Sequence, residues 1–272
     1  MHKQLKIIKR QILWAYKLLA LFGIDPRKTI GAIRGLFFYF RDFRMLCAQK
    51  NISENKYFSF GEPYPCLNDR FSESGSANGH YFYQDLLVAQ RIYLTNPKIH
   101  VDIGSRVDGF VAHVASFRPI EVMDIRPLSS NISNVKFIQS DLTGCIKHEL
   151  IDYCDSLSCL HALEHFGLGR YGEQVNYDGY LLGLDNLYSI LKKKGKLYLS
   201  VPIGPQRIEF TAHRVFSIGY LLSLFMGKYQ IDLFSFVDDS GELHKNVELN
   251  DENINSNFNC YYGCGVFEMT KL

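Results

Sequence analysis

HVDIGSRVDGFVAHV, residues 100–114, passes from an apolar run through a glycine-bearing turn into a second apolar run. The first run, Ile99 to Ile103, has the length of a strand, and the second, Phe110 to Phe117, predicts a helix. A strand that ends in Asp102, Ile103 and Gly104 and turns through Ser105 to Gly109 lets backbone approach a ligand closely. Glycine makes this possible because it has no Cβ and accepts unusual dihedrals. Arg106 and Asp108 stand where such loops usually carry small residues, so the turn alone does not name its ligand.

Working outward, short apolar runs recur in order. Ile120 to Ile125, Val135 to Ile138 and Asp155 to Leu160 read as strands two to four, each ending in a polar or glycine residue. A helix is expected over Tyr180 to Leu191, ended by Gly195, with Lys196 to Val201 as the fifth strand. Alternation of strand and helix predicts an α/β fold with a doubly wound, Rossmann-like parallel sheet. After a helix over Ser217 to Met226 come a strand at Gln230 to Val237, a polar stretch from Asp238 to Asn257, and a last strand near Gly265 to Lys271. Two late strands without an intervening helix predict an antiparallel last strand.

Spacing narrows the chemistry of the loop. Asp124 ends the second strand 20 positions after Gly104, where an acid can accept hydrogen bonds from both ribose hydroxyls of a nucleoside cofactor; a solvated strand-end Asp is the plain alternative. Asp141 follows the third strand and suits an adenine amino group, or equally a helix N-cap. These elements in this order, over about residues 80–272, resemble the class I S-adenosylmethionine-dependent methyltransferases, with their seven-stranded sheet. The resemblance implies S-adenosylmethionine as cofactor. It places Asp102, Gly104, Ser105 and Gly109 in the cofactor loop, Asp124 on the ribose and Asp141 on the adenine. DSLSCLHALEHFG, residues 155–167, looks like the fourth-strand motif of small-molecule methyltransferases, so Ser158, Cys159 and Leu160 would border the cofactor. HALEHFGLGRYG, DIRPL at 124–128 and AHRVF at 212–216 are similar to an uncharacterised methyltransferase-like family, a domain of unknown function found in nematodes and among bacterial surface-polysaccharide genes. That resemblance implies a small-molecule or sugar/glycan-precursor acceptor and a role in surface-polysaccharide biosynthesis.

Methyl transfer needs alignment and, for a hydroxyl acceptor, a base. His161 and His213 are the catalytic candidates, His161 favoured by position; His165 with Glu164 reads as a structural pair. Arg170, Tyr171 and Arg214 follow the fourth and fifth strands and are expected to bind the acceptor, since arginine suits phosphate or carboxylate. A structural arginine paired to a loop carbonyl fits the same positions. HxxEH at 161–165 lacks a third ligand, and Cys260 and Cys264 lack a second ligand pair, so no metal site is expected. Two other functions stay open: a noncatalytic cofactor-binding or scaffold protein of this fold, and an NAD-dependent oxidoreductase sharing the first loop and Asp124.

The chain of 272 residues, 47% hydrophobic and 21% charged, is ordinary for a globular protein, and its odd count of seven cysteines fits a reducing cytoplasm better than a disulfide scaffold. Residues 1–50 hold eleven Lys or Arg against Asp25 and Asp42, a balance of +9 that leaves −7 elsewhere from the net +2. They form a basic helical appendage. Leu5, Ile8, Ile12, Leu19 and Phe22 can share a stripe apart from Lys6, Lys9, Arg10 and Lys17, which suits a peripheral helix on the inner, anionic membrane face. Packing on the main domain suits the pattern equally, and nothing marks a nucleic-acid platform. The apolar run Ile12 to Ile24 is too short to span a bilayer. Asp25 and Pro26 restart a helix that should end near Cys47. Residues 51–80 read as an irregular connection or lid, and 81–272 as the main domain.

Overall fold

The computed structural model describes residues 15–272 apart from 17, 56 and 76. Much of the basic stripe at the N-terminus, Leu5 to Ile12 and Lys17, lies outside the described residues. The chain divides between residues 76 and 77 into two compact units. No described helix is long and apolar enough to cross a membrane.

In the first unit, helix α1 (Pro26–Ile52) begins as the sequence requires. Asp25 Oδ1 accepts from the Arg27 and Lys28 amides at 3.0 and 3.4 Å, and Pro26 occupies the first turn, where no amide is needed. The helix runs past Cys47 to Ile52, because Ala48, Gln49 and Lys50 carry no stop signal. Its one buried residue is Gly35, against the Leu67 carbonyl. Ile30, Ile33, Phe37 and Phe40 are exposed.

The second unit opens with α2 (Gly79–Thr95), closed by Asn96 in the left-handed region. Strands β1 (His100–Ile103), β2 (Ile120–Asp124), β3 (Val135–Gln139), β4 (Cys154–Leu160) and β5 (Leu191–Ile203) pair in parallel in the order β3-β2-β1-β4-β5. Strands β6 (Arg207–Glu209) and β7 (His213–Val215) make a separate hairpin. Beyond β5, β8 (Tyr229–Val237), β9 (Leu243–His244) and β10 (Gly263–Lys271) continue the sheet as β5-β10-β8-β9, with β10 antiparallel to both β5 and β8. The sheet thus has eight strands rather than seven; the addition is the two-residue β9, paired to Val237 and Phe236.

Two apolar layers cover the sheet. One face packs on α2 and on the turn Val107–Val111 that leads into α3 (Ala112–Ala115), through Val88, Ile92, Phe110 and Val114. The other packs on α4 (Gly179–Ile190) and α5 (Ile218–Phe225), through Leu184, Leu187, Leu221 and Phe225. The expected helix stop at Gly195 is corrected: α4 ends at Ile190, and Lys192 to Gly195 bulge out of β5 between the pairings Cys154 to Leu191 and Ser156 to Lys196. Lys194 takes the left-handed conformation there, at φ +65°, which turns the chain back into the strand. The polar stretch 238–257 also contains α6 (Asp251–Ser256), capped by Asn250 on the Asn253 amide.

Candidate functional site

The loop after β1 is held from below by a buried polar chain. Asp102 accepts from the Ser105 amide at 3.0 Å, the Ser105 hydroxyl at 2.9 Å and the Ser158 hydroxyl at 2.5 Å. Ser158 Oγ lies 3.2 Å from His100 Nε2, and His100 Nδ1 lies 2.8 Å from Ser156 Oγ. Burial keeps His100 neutral, its pKa pushed down to about 3, and pushes the Asp102 carboxyl up to about 7. Asp102 and Ser105 therefore shape the loop from within, and Ser158 supports Asp102 instead of bordering the cavity. Cys159 points to the opposite face of β4 and is fully buried in the α4/α5 core, since alternate residues of a strand face opposite ways. Only Leu160 of those three lines a cavity.

Gly104 has φ +75°, and a Cβ there would come within 2.8 Å of the Ala162 methyl. The turn needs glycine on both counts. A Cβ at Gly109 would stand 3.0 Å from Asp85 Oδ2, which brings α2 against the loop. Asp85 accepts from the Phe110 amide, and burial pushes its carboxyl up to about 6. Arg106 and Asp108 are exposed and pair with each other at 2.6 Å.

A cavity opens at the carboxyl ends of β1, β2 and β4, bounded by Gly104, Met123, Asp124, Asp141, Leu142 and Ala162. Asp124 and Asp141 are therefore brought together on one wall. Asp141 Oδ1 accepts from the Thr143 amide and hydroxyl, so the N-cap-like turn is present at the cavity edge. Asp124 faces Arg126, whose Nε is 3.0 Å from Oδ1 and whose NH2 is 2.5 Å from Oδ2. The Tyr171 ring lies against two guanidinium groups, Arg126 at 4.6 Å and Arg170 at 5.2 Å. An adjoining groove of about 1210 Å³ is lined by Tyr81, Asp85, Arg126, His161, Arg170 and Tyr171.

His161 sits at the end of β4 with φ +50°, a conformation costly for a residue with a Cβ. Its Nδ1 is 2.7 Å from buried Glu164 Oε1, while its buried Nε2 makes no hydrogen bond of good geometry. His165 hydrogen-bonds through Nδ1 to the Ala212 carbonyl at 2.7 Å, lies 3.8 Å from Glu164, and lines both the cavity and the groove. His213 is placed differently from the catalytic expectation. It lies on β7, its ring tilted 30° against Tyr262 at 4.9 Å, and lines neither the cavity nor the groove. Arg214 is likewise removed from the acceptor set: its guanidinium donates to the Glu164, Phe166 and Tyr177 carbonyls at 3.3, 2.7 and 2.9 Å. It buckles the loop between β4 and α4. Arg126 and Asp85 were not singled out from the sequence; Arg126 stood inside the quoted DIRPL, two residues after the ribose acid.

The family model described as "Caenorhabditis protein of unknown function, DUF268" matches residues 109–264. The chain belongs to the DUF268 family. That model covers β2 to β5, the loop bearing His161 and Arg170, and the start of β10. No curated protein matches this DUF268 chain. Among solved structures it is similar to 1,6-didemethyltoxoflavin-N1-methyltransferase of Burkholderia thailandensis, crystallised with 1,6-didemethyltoxoflavin and S-adenosylhomocysteine. The identity is 14%, with 91% of each chain covered and a TM-score of 0.51. The N-methyltransferase NodS of Bradyrhizobium japonicum is also similar, at 10% identity, 82% of this chain, 95% of that one and a TM-score of 0.47. The DUF268 chain has the class I methyltransferase fold, as the order of its strands and its antiparallel β10 require.

Proposed function

We propose that this chain binds S-adenosylmethionine and transfers its methyl group to a small-molecule or sugar/glycan-precursor acceptor bearing an anionic group. The observation that carries the reading is the convergence of Gly104, Asp124 and Asp141 on one cavity at the carboxyl edge of the sheet. Asp124 would take the ribose hydroxyls, Asp141 the adenine edge, and Met123, Ile125 and Leu142 the base faces. At the methionine end, the loop amides suit the carboxylate of the cofactor and Asp85 suits its ammonium group. Arg126 is two-fifths exposed, so water competes for its guanidinium and it can swing aside for the ribose, whose hydrogen bonds to the Asp124 carboxylate would contribute about 1.5–3 kcal/mol. The bound cofactor supplies an electrophilic sulfonium methyl; the protein supplies orientation.

Arg126, Arg170 and Tyr171 along the groove favour a phosphate- or carboxylate-bearing acceptor, consistent with nucleotide-sugar or lipid-linked precursors in surface-polysaccharide biosynthesis. For a hydroxyl acceptor, His161 is the histidine placed to take the proton at Nε2. We place the reaction in the cytoplasm, with residues 1–50 on the anionic inner membrane face. Isothermal titration with S-adenosylmethionine and with NAD tests the cofactor. We expect S-adenosylmethionine to bind and Asp124→Ala to weaken it roughly 10–100-fold, the equivalent of those hydrogen bonds. Binding of NAD alone, or unchanged affinity in Asp124→Ala, overturns the assignment.

A further inference from the structure

One cluster beside the groove shares His161 with the lining of the cavity and the groove and brings two further ligand-type side chains to it. Among the described residues, His80, His161 and Cys264 each bring one ligand atom to within 4.8 Å of the others. They come from the first turn of α2, the end of β4 and the start of β10. His161 and Cys264 are buried, and the His161 side chain is only 3% exposed. Its Nε2 makes no hydrogen bond of good geometry, and the polar group that interacts with it is the Cys264 thiol, an arrangement that a buried imidazole nitrogen rarely tolerates. From the position of that nitrogen between a thiol and a second imidazole, we infer that His80, His161 and Cys264 form a binding site for a borderline-soft divalent transition metal ion, zinc foremost.

The donor set decides the class of ion. Two imidazole nitrogens and one thiolate suit zinc and its neighbours, whereas calcium and magnesium require oxygen. The outer contacts are those of a metal site as well. His161 Nδ1 is oriented by the Glu164 carboxylate at 2.7 Å, and the His80 ring hydrogen-bonds the Tyr262 backbone. The His80 and His161 rings stack at 5.2 Å with 7° between planes, which sets their nitrogens side by side. Metal–ligand bonds of about 2.0–2.3 Å place donor atoms roughly 3.5 Å apart, so the ion would draw the three together. His80, half-buried at the start of a helix, has the freedom to move. On binding, the Cys264 thiol loses its proton to solvent and its sulfur lone pair forms the bond to the ion. Three protein ligands leave a fourth position for water.

The inference does not rest on the methyltransferase reading. It does compete with a base role for His161, because a metal on Nε2 takes the lone pair that a base would use. The test is titration of the full-length protein, freed of metal by chelator, with zinc by calorimetry and with cobalt(II) by absorption. We expect one equivalent per chain and a thiolate-to-cobalt charge-transfer band. Cys264→Ser should abolish the band, and Glu164→Gln should weaken zinc roughly 10–100-fold by freeing the imidazole. His80→Ala alters a half-buried residue, so it should stay folded by circular dichroism even where Cys264→Ser does not. It should weaken zinc at least about 10-fold. Failure to bind an equivalent of zinc, equal affinity in His80→Ala, or a cobalt–thiolate band that survives Cys264→Ser, overturns the site.

Discussion

Asp102 lies at the foot of the cofactor loop and is fully buried, yet no cation faces it; three hydrogen bonds from Ser105 and Ser158 are its compensation. Those bonds favour the ionised form, but loss of hydration outweighs them and carries the carboxyl to about 7. The sign of the pH effect follows. An unfolded Asp titrates near 3.8, so between that value and about 7 the folded state holds the proton more tightly. This group's contribution to stability is complete below pH ~4 and is lost as pH rises through 7. Asp102→Asn keeps the acceptor oxygen and removes the titration. In urea unfolding from pH 4 to 8, the wild type should therefore lose stability relative to Asp102→Asn by up to a few kcal/mol, most of it before pH 7. A difference that stays flat, or one that grows toward acid, would reject the buried-acid account. Asp102 itself was legible as a strand-end residue, but the polar chain behind it was not: His100, Ser156 and Ser158 lie on two strands and meet only through parallel pairing.

At the scale of the element, α4 is seated on the loop after β4 by missing side chains. A Cβ at Gly183 would fall 2.2 Å from Phe166 Cδ2 and 3.3 Å from Leu163 Cδ1, so the helix and the His161 loop touch through glycine. In α5, by contrast, a Cβ at Gly219 would meet only Ile254 Cγ2 at an ordinary 3.7 Å. Both glycines lie in helices, where alanine gains about 1 kcal/mol in propensity. Overpacking costs about 1–3 kcal/mol. Gly183→Ala should thus lose up to about 2 kcal/mol in denaturant unfolding, while Gly219→Ala gains up to about 1 kcal/mol. Equal effects would show that the α4 contact imposes no constraint. The main strands and helices could be read because each buries an apolar run of its own. Strand β9, hairpin β6/β7 and helix α6 could not, since runs of two to six residues with a single apolar side chain each leave no period to find. Ser158 and Cys159 were misjudged together, although strand alternation already places neighbours on opposite faces. Arg214 shows a different limit: its three carbonyl partners lie 37 to 50 residues away.

For the whole molecule, charge and apolar exposure are segregated along the chain. The first 50 residues carry +9 and the remainder −7, and the cofactor cavity belongs wholly to the acidic part. Along α1 the exposed side chains Ile33, Phe37 and Phe40 lie three and four residues apart, among Arg34, Arg41 and Arg44. Spacing of that kind puts an apolar stripe beside cations, the arrangement of a helix lying in the headgroup region. Each Lys or Arg near an anionic leaflet contributes about 1 kcal/mol, and burial of the apolar side chains adds to it. Neither attraction alone gives lasting attachment, so both should be required. Full-length protein should co-sediment with phosphatidylserine-containing vesicles and much less with neutral ones. The anionic preference should fade in 1 M salt, where screening acts over about 3 Å. Replacing Ile33, Phe37 and Phe40 with Ser in the full chain removes the apolar half of the attraction without changing a charge, and should reduce co-sedimentation several-fold. Equal pelleting of that variant, or equal binding to neutral vesicles, would assign the basic segment to something other than a membrane.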